Sequence, residues 1–351
     1  MRARELGIPL AGAPGEHNAI TDVPGVQVGY TTLIEGEAVR TGVTAILPRG
    51  RDGVGTACAA GWYSLNGNGE MTGTTWIDEA GMLDLPVLVT NTHAVGPCHR
   101  GAIDWVVANR PGRAAEWLLP VVAETWDGYL NDINGPHVQP RHAVAAIDAA
   151  RGGPVPEGSV GGGTGMNCYQ FKGGSGTSSR RVDRYHVGVF VQANFGARHE
   201  LTVAGVPVGA ALADDNPMAD YHPGSTPDGA GSVIAVVATD APLLPGQAKA
   251  LARRVPLGLA RTGTTGSHFS GDIFLAFSTA NPGGFETGML RFVPWRELDP
   301  FYAATVHAIE EAVLNALTAA EEMVGRDGHR TPGLPRDRLR QLLHTRLPGE
   351  A

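Results

Sequence analysis

Residues 232–239, Ser-Val-Ile-Ala-Val-Val-Ala-Thr, form an apolar, β-branched run entered through Gly-Ala-Gly and closed by Asp240. A run this short and this continuous, with no polar alternation, reads as a strand buried on both faces. Such a strand needs a layer packed on each side, which makes a layered α/β architecture with helices outside stacked sheets the expected class. Further runs of the same kind predict strands over 23–33, 41–47, 55–62, 87–92, 186–194, 201–208 and 272–278. Helical spacing of apolar residues predicts helices over 101–109, 114–125, 246–260 and, most clearly, 300–324. The segment 151–181 is the most irregular, and the Arg- and Pro-rich stretch 325–351 reads as a surface tail.

With 351 residues, 42% of them hydrophobic, the chain can bury one large core, and a single domain over 1–351 is expected. A net charge of -8 with no basic stripe speaks against a nucleic-acid partner. No apolar run approaches a membrane span and the first residues lack a signal core, so neither a membrane partner nor export is expected and the cytoplasm is the predicted location. Three cysteines, Cys58, Cys98 and Cys168, fit neither a disulfide framework nor a zinc knuckle and read as small buried hydrophobes. The histidines form no metal signature, and His93, His99, His137, His142 and His268 read as surface or capping groups. The glycine clusters 161–165 and 173–176 end in no Gly-Lys-Ser/Thr and lead into no recognisable helix; close backbone packing, or a mobile loop near the site, explains them better than a phosphate. No cofactor is expected.

The chemistry concentrates at the start of the 232–239 run. Gly231 has no side chain to crowd its carbonyl, so the hydroxyl of Ser232 can reach it, shift the acyl group from nitrogen to oxygen and let water complete the scission. The product is an N-terminal serine whose α-amine, with a reference pKa of about 7.7–8.0, can act as base for its own hydroxyl. The plain alternative is a Gly-Ser turn leading into a buried strand. A second polar glycine turn, 263–269, feeds the strand that begins near Ser270 and Asp272. If the two strands are neighbours, Ser270 and Asp272 reach the same end of the sheet as Ser232, where the carboxylate would hold Ser270 or tune the new ammonium; the alternative is an Asp capping a turn. Asn194, at the end of 186–194, is either an oxyanion donor or a turn residue before Gly196.

Several runs resemble one family of hydrolases: Val121-Val-Ala-Glu-Thr-Trp-Asp-Gly-Tyr-Leu-Asn-Asp-Ile133, Gln192-Ala-Asn-Phe-Gly196, the segment from Gly231 to Leu243, and Ser270-Gly-Asp-Ile-Phe-Leu-Ala-Phe-Ser-Thr-Ala-Asn281. They are similar to the L-aminopeptidase D-amidase/D-esterases and β-peptidyl aminopeptidases. The stretches 18–29 and 311–321 resemble the same family, so its motifs run in order across most of the chain. The resemblance implies a four-layer αββα sandwich, cut between Gly231 and Ser232 into an α polypeptide, 1–231, and a β polypeptide, 232–351, that stay together as an oligomer of processed units. It implies Ser232 as nucleophile and base, Ser270 and Asp272 as its supporting pair, Asn194 as oxyanion donor and Tyr129 as a second donor, since Trp126 brings no hydroxyl. Glu124 is the expected anchor for a substrate's free amine, with Glu70 as rival, and Trp126 is expected at the substrate.

The resulting expectation is a self-processing aminopeptidase or amidase acting on short peptides, amides or esters. Two rivals remain open at this point: an acyltransferase like the ornithine acetyltransferases, which use a threonine where this chain has Ser232, and a small-molecule binding protein with an inert Ser232. Trp62, Trp76, Trp126, Phe195 and Phe269 are each either pocket wall or core.

Overall fold

The structure, a computed structural model, describes residues 1–221 and 229–346; Asp228 and the last five residues of the expected tail lie outside the described residues. In chain order the elements are β1 (Gln27–Glu35), β2 (Val39–Leu47), β3 (Cys58–Ser64), α1 (Thr74–Ala80), β4 (Met82–Leu83), β5 (Val87–Asn91), α2 (Val95–Asn109) and β6 (Val121–Thr125). Next come α3 (Pro140–Asp148), β7 (Asn167–Cys168), β8 (Phe171–Lys172), β9 (Gly174–Val182), β10 (Tyr185–Asn194), α4 (Val208–Ala211) and β11 (Gly231–Thr239). The remainder is α5 (Pro245–Ala252), α6 (Val255–Ala260), β12 (Ser270–Ser278), α7 (Gly284–Thr287), α8 (Asp299–Ala319), β13 (Met323–Val324), β14 (Arg330–Thr331) and α9 (Arg336–Arg346).

Two sheets carry the architecture, a four-stranded one in the order β1-β2-β5-β6 and a six-stranded one in the order β4-β3-β12-β11-β10-β9. The alternation of side chains along each strand assigns three apolar layers. Between the sheets lie Ile46, Val87, Val89, Val121 and Ala123 from the first and Phe190, Ile234, Val236, Ile273 and Leu275 from the second. The other face of the first sheet, with Val43, Ala45, Leu88 and Val122, packs on α2 and α3 through Ala102, Trp105, Ala143 and Ile147. The other face of the second, with Val189, Val191, Val233, Ala235 and Phe274, packs on α5, α6 and α8 through Leu251, Leu259, Ile309 and Val313. This is the four-layer αββα sandwich, and β11, apolar on both sides, is why a continuous run was needed at 232–239.

The strand β9 is the element its sequence hides. Gly-Ser-Gly-Thr-Ser-Ser-Arg-Arg-Val is polar, yet all but one of its residues are buried. Its hydroxyls are spent on backbone: Ser178 Oγ donates to the Ala308 carbonyl at 2.6 Å and Thr177 Oγ1 to Val189 at 2.7 Å. Arg180, 1% exposed, pairs at 2.7 Å with the fully buried Glu311 of α8, which Arg4 and Asn18 also hold. Gly176 lies so close to α8 that a Cβ would overlap the Ala312 carbonyl. The Gly161–Gly163 turn is likewise a close backbone packing site against Tyr30, Thr44 and Val89, as expected for these glycines.

Three expectations of secondary structure are corrected. Residues 114–125 are not a helix: a 3-10 turn over Arg113–Ala115 is followed by β6, because Pro120 denies a helix its hydrogen bond and the apolar run is instead a doubly covered strand. Residues 201–208 form no strand but a tight turn bridged between Val203 and Val206, with Ala204 at φ 50° and Gly205 at φ 77°. The stretch 246–260 is two helices, broken before Pro256.

The expected surface tail is also corrected for the residues described. β14 pairs with β13, and α9 places Leu339 and Leu343, with Leu334 before it, in the helix-side core. The Arg-rich composition belongs to the outer face of α9, where Arg338 pairs with Asp214 and Arg340 with Asp337. Leu339→Ala is therefore expected to destabilise the protein by about 2–5 kcal/mol, read from urea unfolding; a change within about 0.5 kcal/mol would restore the description of a loose tail.

Candidate active site

The two parallel strands that the sequence brought under suspicion are adjacent: in the β11/β12 register Gly231 faces Ser270 and Ser232 faces Gly271, while on the other side Ser232 faces Asn194 of β10. One sheet end thus gathers Ser232, Ser270, Asp272 and Asn194. Gly231 is required here for a reason beyond access to its carbonyl, since a Cβ at this position would overlap the carbonyl oxygen of Asn194.

Ser232 is 2% exposed and opens into a cavity of about 510 Å³ at the ends of β5 and β6, where the two sheets separate. Its walls include Gly69, Glu70, Thr92, Glu124, Trp126, Asn167, Gln170, Asn194, Phe195, Tyr221 and Gly231 besides Ser232, with the half-exposed Phe269 among the remaining lining residues. Of the five aromatic candidates, Trp126, Phe195 and Phe269 are wall, Trp62 packs between the sheets, and Trp76 meets Trp117 edge-on at 5.9 Å.

Strand alternation separates two jobs. Ser232 shares the inter-sheet face with Ile234 and Val236, whereas Asp272 follows the parity of Phe274 and Ala276 on the helix face. The two side chains thus lie on opposite faces of the sheet with main chain between them, and the main-chain N–H that Asp272 receives from β11 is that of Val233, next to Ser232. Asp272 Oδ1 accepts from Ser270 Oγ at 2.5 Å, and Asn66 clamps the same residue twice, accepting from its main-chain N–H at 2.7 Å and donating to Oδ2 at 3.1 Å. Burial raises the Asp272 pKa, and the donors from Ser270, Asn66 and the Val233 N–H oppose that shift.

Asn194 is held by its side-chain oxygen Oδ1, which accepts the main-chain N–H of Asn167 at 2.8 Å; its Nδ2 donates to the Trp126 carbonyl at 2.9 Å, leaving a second hydrogen on a residue that lines the cavity. The N–H of Trp126 points at Ser232 Oγ from 3.4 Å. Beneath this peptide Asp127 is fully buried, with one oxygen on Asn131 at 3.0 Å, and burial pushes its pKa up to about 7.

Glu124 is 2% exposed and carries only neutral donors, the hydroxyl of Thr92 and the main-chain N–H of Glu70 at 3.0 Å; among the described residues no cation pairs with it. Burial raises its pKa, these hydrogen bonds lower it, the neighbouring Glu70 carboxylate adds to the rise and the nearby His93 opposes it. Glu70 itself is an exposed residue on the cavity wall.

Tyr129 is not brought to the site. It is 2% exposed, its hydroxyl donates to the Arg330 carbonyl at 3.2 Å and its ring stacks on His329 at 4.6 Å, so the expectation of an oxyanion donor there is corrected. The phenol on the cavity wall is Tyr221, which packs edge-on against Tyr129. Sequence reasoning also missed Asn66, Thr92 and Asn167. Asn66 stood in the same Asn-Gly-Asn-Gly-Glu run as Glu70, but a main-chain donor such as Trp126 N–H has no signature in the sequence. Among the described residues no three His, Cys, Asp or Glu side chains are grouped to hold a metal ion, and the three cysteines are free and buried, as expected.

Residues 18–331 match peptidase family S58. The chain is 49% identical to a β-peptidyl aminopeptidase of Sphingosinicella microcystinivorans, over 97% of this chain and 91% of that one. Among solved structures it is similar to a β-aminopeptidase of a Burkholderia species, at TM-score 0.91 and 45% identity, covering 98% of this chain and 99% of the other. It is also similar to an L-aminopeptidase D-Ala-esterase/amidase of Ochrobactrum anthropi, described as a variant of the Ntn hydrolase fold, at TM-score 0.92 and 44% identity with 98% of each chain covered. Neither the acyltransferase nor the binding-protein alternative finds support among these relatives. Fold, site geometry and relatives agree that the chain belongs to peptidase family S58 and is a hydrolase, an aminopeptidase of the N-terminal nucleophile serine class.

Proposed function

We propose that Ser232, released as an N-terminus by scission of the Gly231–Ser232 bond, removes N-terminal residues from short peptides, amides or esters through an acyl-enzyme. The observation that carries this reading is a buried serine at the start of a strand, in a cavity that also holds a buried carboxylate with no cationic partner among the described residues. In the processing step Ser232 Oγ adds to the Gly231 carbonyl carbon, the peptide C–N bond breaks to leave an ester and a free α-amine, and water then hydrolyses the ester to the Gly231 carboxylate. The fragments are 231 and 120 residues, since 351 minus 231 is 120.

In turnover the new amine takes the Oγ proton, Oγ attacks the substrate carbonyl, and the ammonium returns the proton to the departing amine. Water, deprotonated by the same amine, frees the acid. The second Nδ2 hydrogen of Asn194 and the N–H of Trp126 are the donors for the developing oxyanion. Asp272, steadied by Ser270 and Asn66, faces the amine and stabilises its protonated form. Glu124 grips the substrate's own ammonium, for which its lack of a cation partner is the support, and Glu70 is the rival for that role. The similarity to β-peptidyl aminopeptidases extends the substrates to β-amino residues, and a panel of α-, β- and D-aminoacyl p-nitroanilides ranks the three classes. The same reading has the enzyme in the cytoplasm as an oligomer of processed units, for which exposed apolar side chains such as Met289, Phe292 and Trp295 offer contact surface.

Intact mass under denaturing conditions is expected to show two fragments for the wild type and one full-length chain for Ser232→Ala. Gly231→Ala is expected to process slowly or not at all, because its methyl group displaces Asn194. A single chain in the wild type as well would end the self-processing reading.

Glu124→Gln is expected to raise KM by about 10–100-fold, the value of a charge-assisted hydrogen bond, with a smaller change in kcat. The charged form of Glu124 binds substrate and burial raises its pKa, so wild-type KM should climb as pH falls through a range above that of ordinary carboxylates, and the variant should lose that climb. An unchanged KM would move the amine to Glu70.

A further inference from the structure

We infer that Asn167 is a substrate-binding residue, which pairs with the peptide unit following the scissile bond and gives the enzyme a preference for peptides over simple amides. The inference rests on the aminopeptidase reading above and extends it to the leaving-group side of the site.

Asn167 is 9% exposed and lines the same cavity as Ser232. Its main-chain N–H is used, on Asn194 Oδ1 at 2.8 Å. Its side chain is not: among the described residues the buried Oδ1 has no hydrogen-bond partner. An unpaired buried amide oxygen costs free energy that a ligand donor recovers. The amide offers one acceptor and a pair of donors in one plane, the complement of a peptide group.

The register of the second sheet says which part of the substrate reaches it. On the β12 side of Ser232 lies Gly271, and Gly69 sits against it, within 2.9 Å of the Gly271 Cα for a Cβ built on Gly69 and within 3.2 Å of Glu124 Oε1. On the β10 side lies Asn194, with Asn167 bonded to it. The nucleophile therefore stands between the amine anchor and Asn167. A substrate with its ammonium at Glu124 and its carbonyl over Ser232 sends its leaving group toward β10, where the first peptide unit beyond the scissile bond meets the free amide.

The test compares two substrates carrying the aminoacyl group that the p-nitroanilide panel ranks first: its L-alanine N-methylamide, which has a second peptide unit, and its n-butylamide, which has hydrocarbon there. The wild type is expected to favour the peptide by kcat/KM on the order of tenfold. Asn167→Leu, with Asn167→Ala as the smaller replacement, should bring that ratio to about one while intact mass still shows complete processing. A wild-type ratio near one overturns the inference without any variant, as does a ratio that both variants leave unchanged. Hydrolysis of neither substrate, nor of any p-nitroanilide, would instead overturn the aminopeptidase reading and this assignment with it.

Discussion

The register of β11 between β10 and β12 is the constraint on which the rest depends. It sets Asn194, Ser232 and Gly271 in one row across the sheet, and it holds only because Gly231 presents no Cβ to the Asn194 carbonyl. A slip of one residue would turn every side chain of the strand to the opposite layer, carrying Ser232 from the cavity into the helix-side core. Both faces of β11 are apolar and fully covered, so the register is held by close packing on each face and not by a polar face turned outward. The proposed nucleophile is thus positioned by one of the most deeply buried strands of the molecule, and the cavity opens at that strand's end.

Around that row, among the described residues, neither Glu124 nor Asp272 forms an ion pair, although His93 lies near enough to Glu124 to lower its pKa. Glu124 and Asp272 are held by neutral donors, and burial raises the pKa of both. Away from the cavity the opposite rule applies: Glu311 is fully enclosed with Arg180 and Arg4 against it, which ties the polar strand β9 to α8. A buried acid left without a counter-ion is costly, and at Glu124 the proposed ammonium of a substrate would supply one. The difference between the two environments supports the proposed ligand role of Glu124 and makes Glu311 a structural joint.

Much of this was legible in the chain. The doubly apolar runs at 87–92, 186–194, 232–239 and 272–278 became β5, β10, β11 and β12, and the two glycine turns did lead Ser232 and Ser270 to one sheet end. β9 was illegible because its burial is secured by side-chain hydrogen bonds to backbone and one arginine pair, neither of which leaves an apolar pattern. β6 was mistaken for helix because a short apolar run covered on both faces has no diagnostic period. Tyr129 was assigned to the site from the family resemblance, as the phenol in that segment, and its hydroxyl is spent on the Arg330 carbonyl.

By itself the sequence determined that the chain builds covered sheets, that Ser232 follows a residue with no side chain, and that carboxylates and amides lie in the loops that close the strands. These are local properties, carried by neighbouring residues and their periodicity. Only the tertiary structure decided which side of the sheet each group serves, that Asn66 clamps Asp272, that the Trp126 peptide faces Ser232, and that the Asn167 Oδ1, beside Asn194, has no partner among the described residues. Those are distances between segments far apart in the chain, set when strands and loops that no local pattern connects pack into one cavity wall.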